Sequence, residues 1–154
     1  MEKDLVLIVD DNEDTLNLLL MGVDSYSPSF VLDTAHNAKE ATEKISKNRY
    51  NAVILDVSLP DITGATLGEL IRKHNPDLPI AFLTNYNGSV THEHAKSIGA
   101  HFWYKPEVLV TFQVFSDHVC ALLSGAPCEE GQDSGKISSK ETIDLPESLS
   151  NFIK

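Results

Sequence analysis

Continuous apolar stretches rich in β-branched residues alternate along this chain with stretches of helical period. Leu5-Val6-Leu7-Ile8-Val9 is the longest apolar run of this kind, the pattern of a strand buried on both faces of a parallel sheet. It predicts the first, central strand. Asp11 or Asn12 can cap a helix through about Asp24, with Leu16, Leu19, Leu20 and Val23 on one face and Glu13 and Asp14 in the favourable first turn. Tyr26-Ser27-Pro28-Ser29 breaks it. Phe30 to Thr34 predicts a second strand, Ala38 to Lys47 a helix with Ala41 and Ile45 inward, and Ala52 to Leu55 a third strand ending at Asp56. A loop with Pro60 and Gly64 leads to a helix from about Thr66 to His74, stopped before Pro76. Pro79 to Leu83 predicts a fourth strand; Ser89 can cap a short helix ending at Gly99. His101 to Tyr104 predicts a fifth strand, and a last helix runs from about Glu107 to Leu123.

Five strand and helix units predict an α/β domain, a doubly wound parallel sheet with helices on both faces, because crossover connections are right-handed. The pattern stops at Ser124, where Ser124-Gly125-Ala126-Pro127 opens a polar stretch through Lys140. Residues 1–123 are therefore expected to form the domain, and residues 124–154 a flexible linker and short tail. In that tail Ile143, Leu145, Leu149, Phe152 and Ile153 suffice for a short helix or docking segment but not for a core.

The 154 residues include 12 Lys and Arg against 23 Asp and Glu, a net charge of −11 that repels phosphate backbones and anionic lipid. Direct nucleic-acid binding is not expected. No apolar run has the length of a membrane span or signal segment, so a soluble, cytoplasmic protein without membrane insertion is expected. Cys120 and Cys128 lack metal-ligand spacing and read as reduced thiols.

Functional groups in such sheets gather at the carboxyl ends of the strands. Here the first strand ends in Asp10-Asp11, the third in Asp56, the fourth in Thr84, and the fifth, one residue on, in Lys105. With strand order 2-1-3-4-5, Asp10, Asp11 and Asp56 converge on one rim, where mutual repulsion calls for a hard divalent cation such as Mg²⁺. With that cation and the Lys105 ammonium the rim is neutral and can accept a phosphoryl group. Mg²⁺, Lys105 and the Thr84 hydroxyl would then face its oxygens, with Asp56 as the nucleophile. Any one strand-end Asp is more simply a helix cap. Four strands ending this way are harder to explain so.

In these residues the sequence resembles the receiver domain of bacterial two-component response regulators, of the chemotaxis-regulator kind, over about residues 4–123. Val9-Asp10-Asp11-Asn12 is similar to the family's acidic pair, Leu55-Asp56-Val57-Ser58-Leu59-Pro60-Asp61 with Gly64 to its phosphoacceptor loop, Leu83-Thr84-Asn85 to its hydroxyl position, and Tyr104-Lys105-Pro106 to its lysine segment. The resemblance implies a flavodoxin-like five-stranded fold of order 2-1-3-4-5. It implies that Asp56 is phosphorylated by a sensor histidine kinase or histidine phosphotransfer protein. Asp11, Asp56 and the Ser58 carbonyl would bind Mg²⁺ directly, with Asp10 assisting through water, and the Lys105-Pro106 bond would be cis. It further implies a switch in which Thr84 moves toward the phosphoryl and Phe102 turns inward, remodelling a surface of the fourth helix, fifth strand and fifth helix that an effector reads. From the residues alone Phe102 is as readily a core ring.

Asn85 stands where the family usually has Ala or Gly; with Tyr86 and the Ser58 side chain it is a position expected to tune phosphorylation or dephosphorylation. His92 and His94 flank Glu93 but point apart on a helix and read as a solvated face, and none of the six histidines has a phosphohistidine context. Val108, Phe112, Phe115, Val119 and Leu122 can face the sheet from the last helix, leaving Leu109, Val110, Val114 and Leu123 as surplus that suggests effector docking or a homodimer. No Asp-x-Asp motif ends the first strand and no Gly-rich turn follows it, which disfavours an aspartate-nucleophile phosphatase and a dinucleotide-binding enzyme. A receiver cut from a larger regulator and a phosphate-independent interaction module stay open beside a stand-alone receiver with no activity on a separate substrate.

Overall fold

The computed structural model describes residues 3–85 and 89–125. Strands β1 (Asp4–Val9), β2 (Phe30–Ala35), β3 (Ala52–Asp56), β4 (Ile80–Thr84) and β5 (His101–Tyr104) form one parallel sheet in the order β2-β1-β3-β4-β5. Helices α1 (Glu13–Tyr26), α2 (Ala38–Lys47), α3 (Gly64–His74), α4 (Ser89–Ser97), α5 (Lys105–Val108) and α6 (Phe112–Leu123) connect and cover it. The expected doubly wound architecture and strand order are both present.

Strand alternation sorts the core into two layers. Leu7, Val9, Val53, Leu55, Ile80 and Phe82 point toward α2, α3 and α4, whereas Val6, Ile8, Ala52, Ile54, Ala81 and Leu83 point toward α1, α5 and α6. Each central strand is thus buried on both faces, which is why its sequence reads as a run and not as an alternation. Asn12 caps α1, its side chain accepting from the Asp14 and Thr15 amides, and Asn37 caps α2 through the Glu40 amide. These caps place both helix starts at the carboxyl rim.

Several expectations are corrected. Leu20 is exposed, because α1 buries only Leu16, Leu19 and Gly22, with Val23 partly covered. Gly64 begins α3 two residues before Thr66, under a Thr63 side-chain cap. The last helix is broken into α5 and α6, because Thr111 turns its side chain onto the Val114 amide and starts a new helix. No peptide bond among the described residues is cis. Lys105–Pro106 is trans, and Pro106 sits in the first turn of α5, where a missing N–H costs no helical bond. Of the surplus apolar residues only Val110 is well exposed; Leu109, Val114 and Leu123 are half-buried, and the most exposed of the larger apolar side chains lie on α1, at Leu18, Met21 and Tyr26. The tail beyond Gly125, where linker and docking segment were expected, lies outside the described residues.

Gly22 is where α1 meets α6. A Cβ there would run into the ring of Phe112, which stacks on Tyr26 at 5.3 Å. Exposed helix positions gain ~1 kcal/mol from Gly→Ala. Here the collision dominates, and Gly22→Ala is expected to lower stability by about 1–3 kcal/mol in denaturant unfolding, as overpacking does. A Gly22→Ala variant more stable than the parent would refute this packing.

Candidate functional site at the carboxyl rim of the sheet

Register alone brings the polar strand ends together. Val9 pairs with Leu55, Asp56 with Leu83, and Thr84 with Tyr104, so Asp10, Asp56, Thr84 and Lys105 each stand at the end of a strand beside a neighbour that also ends in one of them. Asp10 is fully buried; its Oδ1 accepts the Asn12 amide at 2.8 Å and its Oδ2 accepts Lys105 Nζ at 2.7 Å. The same ammonium is 3.6 Å from Asp56 Oδ2, while Asp56 Oδ1 accepts the Ser58 amide at 3.0 Å. Asp11 is exposed beside them, and Asp10, Asp11 and Asp56 each offer a carboxylate oxygen within 4.8 Å of the others.

This is a hard, all-oxygen donor set with one cation shared between two buried carboxylates. Burial pushes the Asp56 carboxyl up to about 6; the Ser58 amide and Lys105 oppose this, and the neighbouring Asp10 charge adds to it. A divalent cation of the Mg²⁺ type fits such a rim on donor chemistry and on charge, since the carboxylates outnumber the ammonium.

Gly64 closes the loop that follows Asp56. Its amide donates to the Val57 carbonyl at 2.8 Å, and a Cβ at Gly64 would collide with the Asp56 backbone carbonyl. Thr84 is buried at the end of β4, and Asn85, exposed, follows it. Tyr86 lies outside the described residues. Phe102 is half-buried against the α2–α4 side of the core, its ring 5.2 Å from that of His92. The two α4 histidines are not a solvated face. His94 is packed against α3, with Nε2 3.0 Å from the Ala65 carbonyl and Nδ1 3.4 Å from Glu69.

Two contributors escaped the reading of the sequence. The Asn12 amide holds Asp10, a contact that the cap motif at Asn12 could have suggested. Asp61 bonds to α2 from 22 and 23 residues away, and no local pattern announces that.

A family model for the response regulator receiver domain matches residues 6–107, and the chain belongs to that family. It is 34% identical over 102 residues to the response regulator protein PilR of Pseudomonas aeruginosa, covering 65% of this chain and 22% of that protein. It is likewise 34% identical over 125 residues to a protein-glutamate methylesterase/protein-glutamine glutaminase of Hydrogenovibrio crunogenus, covering 78% of this chain and 33% of that one. The chain thus spans about a fifth to a third of these relatives' length. Among solved structures, the non-phosphorylated HemR receiver domain of Leptospira biflexa superposes with a TM-score of 0.71 at 27% identity, over 83% of this chain and all of that one. The response regulator TrrA of Thermotoga maritima, in complex with Mg²⁺-BeF, superposes with a TM-score of 0.66 at 28% identity, over 77% and 98%. No helix of the described residues is long and apolar enough to cross a membrane.

Asp56 binds its proton more tightly in the fold than in the unfolded chain, where 3.8 is ordinary, so its contribution to stability falls as pH rises toward about 6. In metal-free buffer Asp56→Asn is therefore expected to be close to wild type in stability near pH 4. By pH 7 it should be more stable by about 1–2 kcal/mol, water at the rim screening part of the repulsion. Mg²⁺ should narrow the gap. A difference between the two proteins that stays constant across pH would contradict this electrostatic picture.

Proposed function

We propose that this receiver accepts a phosphoryl group on Asp56 from a phosphohistidine of a sensor histidine kinase or histidine phosphotransfer protein, and signals through a change in its protein-binding surface. The observation that carries the reading is the Lys105 ammonium set between Asp10 and Asp56, 2.7 and 3.6 Å away, on a rim with a third carboxylate at Asp11. Near neutral pH, above the raised Asp56 value, the carboxylate is ionised and nucleophilic while Lys105 lowers its field.

In the transfer an Asp56 carboxylate oxygen bonds to phosphorus as the phosphorus–nitrogen bond to the donor imidazole breaks. The electron pair stays on the imidazole nitrogen, which takes up a proton. Asp11, Asp56 and the Ser58 carbonyl would hold Mg²⁺, with Asp10 acting through water; bound there, it neutralises charge on the moving phosphoryl. Lys105, released from Asp10, ion-pairs with one phosphoryl oxygen, and the buried Thr84 hydroxyl turns toward another. Phe102 can follow Thr84 inward, because it borders the Phe82 layer and its ring meets α4 at His92. The surface so altered is that of α4, β5 and α6, where an effector would dock, and a homodimer through the same face would be a second use of it.

Asn85, exposed beside Thr84, would tune access to the phosphoryl together with Tyr86 and the Ser58 side chain. Activity on the chain's own account would be limited to self-phosphorylation from small donors and hydrolysis of its aspartyl phosphate. The reading includes a receiver spanning residues 1–123, followed by a linker and tail, in a cytoplasmic protein.

Intact-mass measurement after incubation with acetyl phosphate and Mg²⁺ tests this directly. One phosphoryl adduct is expected, absent with chelator and absent in Asp56→Asn. Lys105→Ala should still take up some phosphoryl but show no change in amide exchange over α4, β5 and α6. A folded Asp56→Asn protein that still gains an aspartyl phosphate would sink the assignment.

A further inference from the structure

The segment between the phosphoacceptor strand and α3, residues 57–63, has no regular structure of its own, yet it carries the Ser58 carbonyl assigned above to the metal. Its two ends are fixed at Asp56, through the Ser58 amide, and at Gly64, through the Val57 carbonyl. Its middle is fixed from outside. The Asp61 carboxylate accepts the Ala38 amide on Oδ1 at 3.0 Å and the Lys39 amide on Oδ2 at 2.9 Å. Oδ1 also accepts its neighbour Ile62's amide at 3.0 Å.

Ala38 and Lys39 are the first two residues of α2, and their amides have no partner within the helix. Asn37, the local cap, takes only the third, at Glu40. The cap of α2 is thus divided between a residue beside it and a carboxylate in the phosphoacceptor loop. The helix dipole favours a negative charge there. The Ala38 amide foremost, with those of Lys39 and Ile62, holds the Asp61 carboxyl below the ordinary range, so it stays ionised at neutral pH. Both oxygens are engaged at once, so the loop is fixed in orientation as well as in position.

We propose that Asp61 is a positioning residue: by clamping the phosphoacceptor loop to the first turn of α2 it sets where the Ser58 carbonyl stands, and so the affinity of the rim for Mg²⁺. This rests on the reading of Asp56 and Ser58 as metal ligands. Asp61 touches neither the metal nor the phosphoryl; it acts through the three-residue segment to Ser58. Positioning partners of this sort commonly change metal affinity by about 10- to 100-fold when removed, and a link through backbone belongs at the low end.

The test is calorimetric titration of the full chain with Mg²⁺, alongside amide exchange, for wild type, Asp61→Ala, Asp61→Asn and Asn37→Ala. Asp61→Ala is expected to bind Mg²⁺ about tenfold more weakly, and to exchange faster at Ala38, Lys39 and Ile62. Asp61→Asn keeps one acceptor oxygen and should fall between it and wild type; should the alanine variant not fold, this one carries the test. Asn37→Ala weakens the same helix start from its local side and should bind Mg²⁺ as wild type does. Unchanged affinity in the folded Asp61 variants would overturn the inference alone. Equal loss in Asn37→Ala would overturn it too, reducing Asp61 to a stabiliser of α2. A wild-type chain that holds no Mg²⁺ would remove the metal assignment and the inference together.

Discussion

Asp10 and Asp56 are held side by side, both almost wholly out of water, with a single ammonium between them. Two buried carboxylates at this spacing repel, and the rest of the site answers that repulsion in some way. Lys105 answers it with an ion pair, the Asn12 and Ser58 amides answer it with hydrogen bonds, and the raised Asp56 value is what is left over. Removing the Lys105 ammonium would leave the buried Asp10 charge uncompensated, which is far costlier than the pair is stabilising. The same unrelieved charge makes the rim receptive to a divalent cation.

The sheet imposes this conflict and withstands it. β1 and β3 are neighbours because the chain crosses over between them, and their register sets Asp10 and Asp56 at the same height. Both strands are buried on each face, so neither end can shift to relax the contact without disturbing packed side chains. What can adjust lies beyond the central strands: the loop after Asp56, clamped through Asp61 and Gly64, and the edge strand β5, whose Phe102 meets α4 through His92. Under the proposed function the rigid strands carry the charges while loops and one edge would carry the response, the division expected of a two-state element biased at one point.

Much of this was legible in the sequence because it depends on local pattern. Runs such as Leu5–Val9 and Ala52–Leu55 mark strands buried on both faces, and the polar residues that end them mark the rim. Asn12 and Asn37 announce their helices as caps do. What stayed hidden depends on partners remote in sequence or on the width of a buried face. Leu20 shares the apolar character of its neighbours, and only the position of α6 beside α1 decides that it faces water. The break at Thr111 lies inside an unbroken apolar period, where one hydroxyl on the Val114 amide restarts the helix. His94 looked solvated because nothing local shows that α3 offers it a carbonyl and a carboxylate. Nothing local to Asp61 shows its bonds to the start of α2 either.

The central claim is that the rim formed by Asp10, Asp11, Asp56 and Lys105 is a charge-balanced receptacle for a phosphoryl group once a divalent cation is present. Fluorine NMR of the chain with beryllofluoride, with and without Mg²⁺, tests it most directly, because this anion mimics the phosphoryl without needing a donor protein. The account predicts resolved bound-fluorine signals that require Mg²⁺ and vanish in Asp56→Asn. Bound signals that persist without Mg²⁺ or in Asp56→Asn, or none at all in the folded wild-type chain with Mg²⁺, would contradict it.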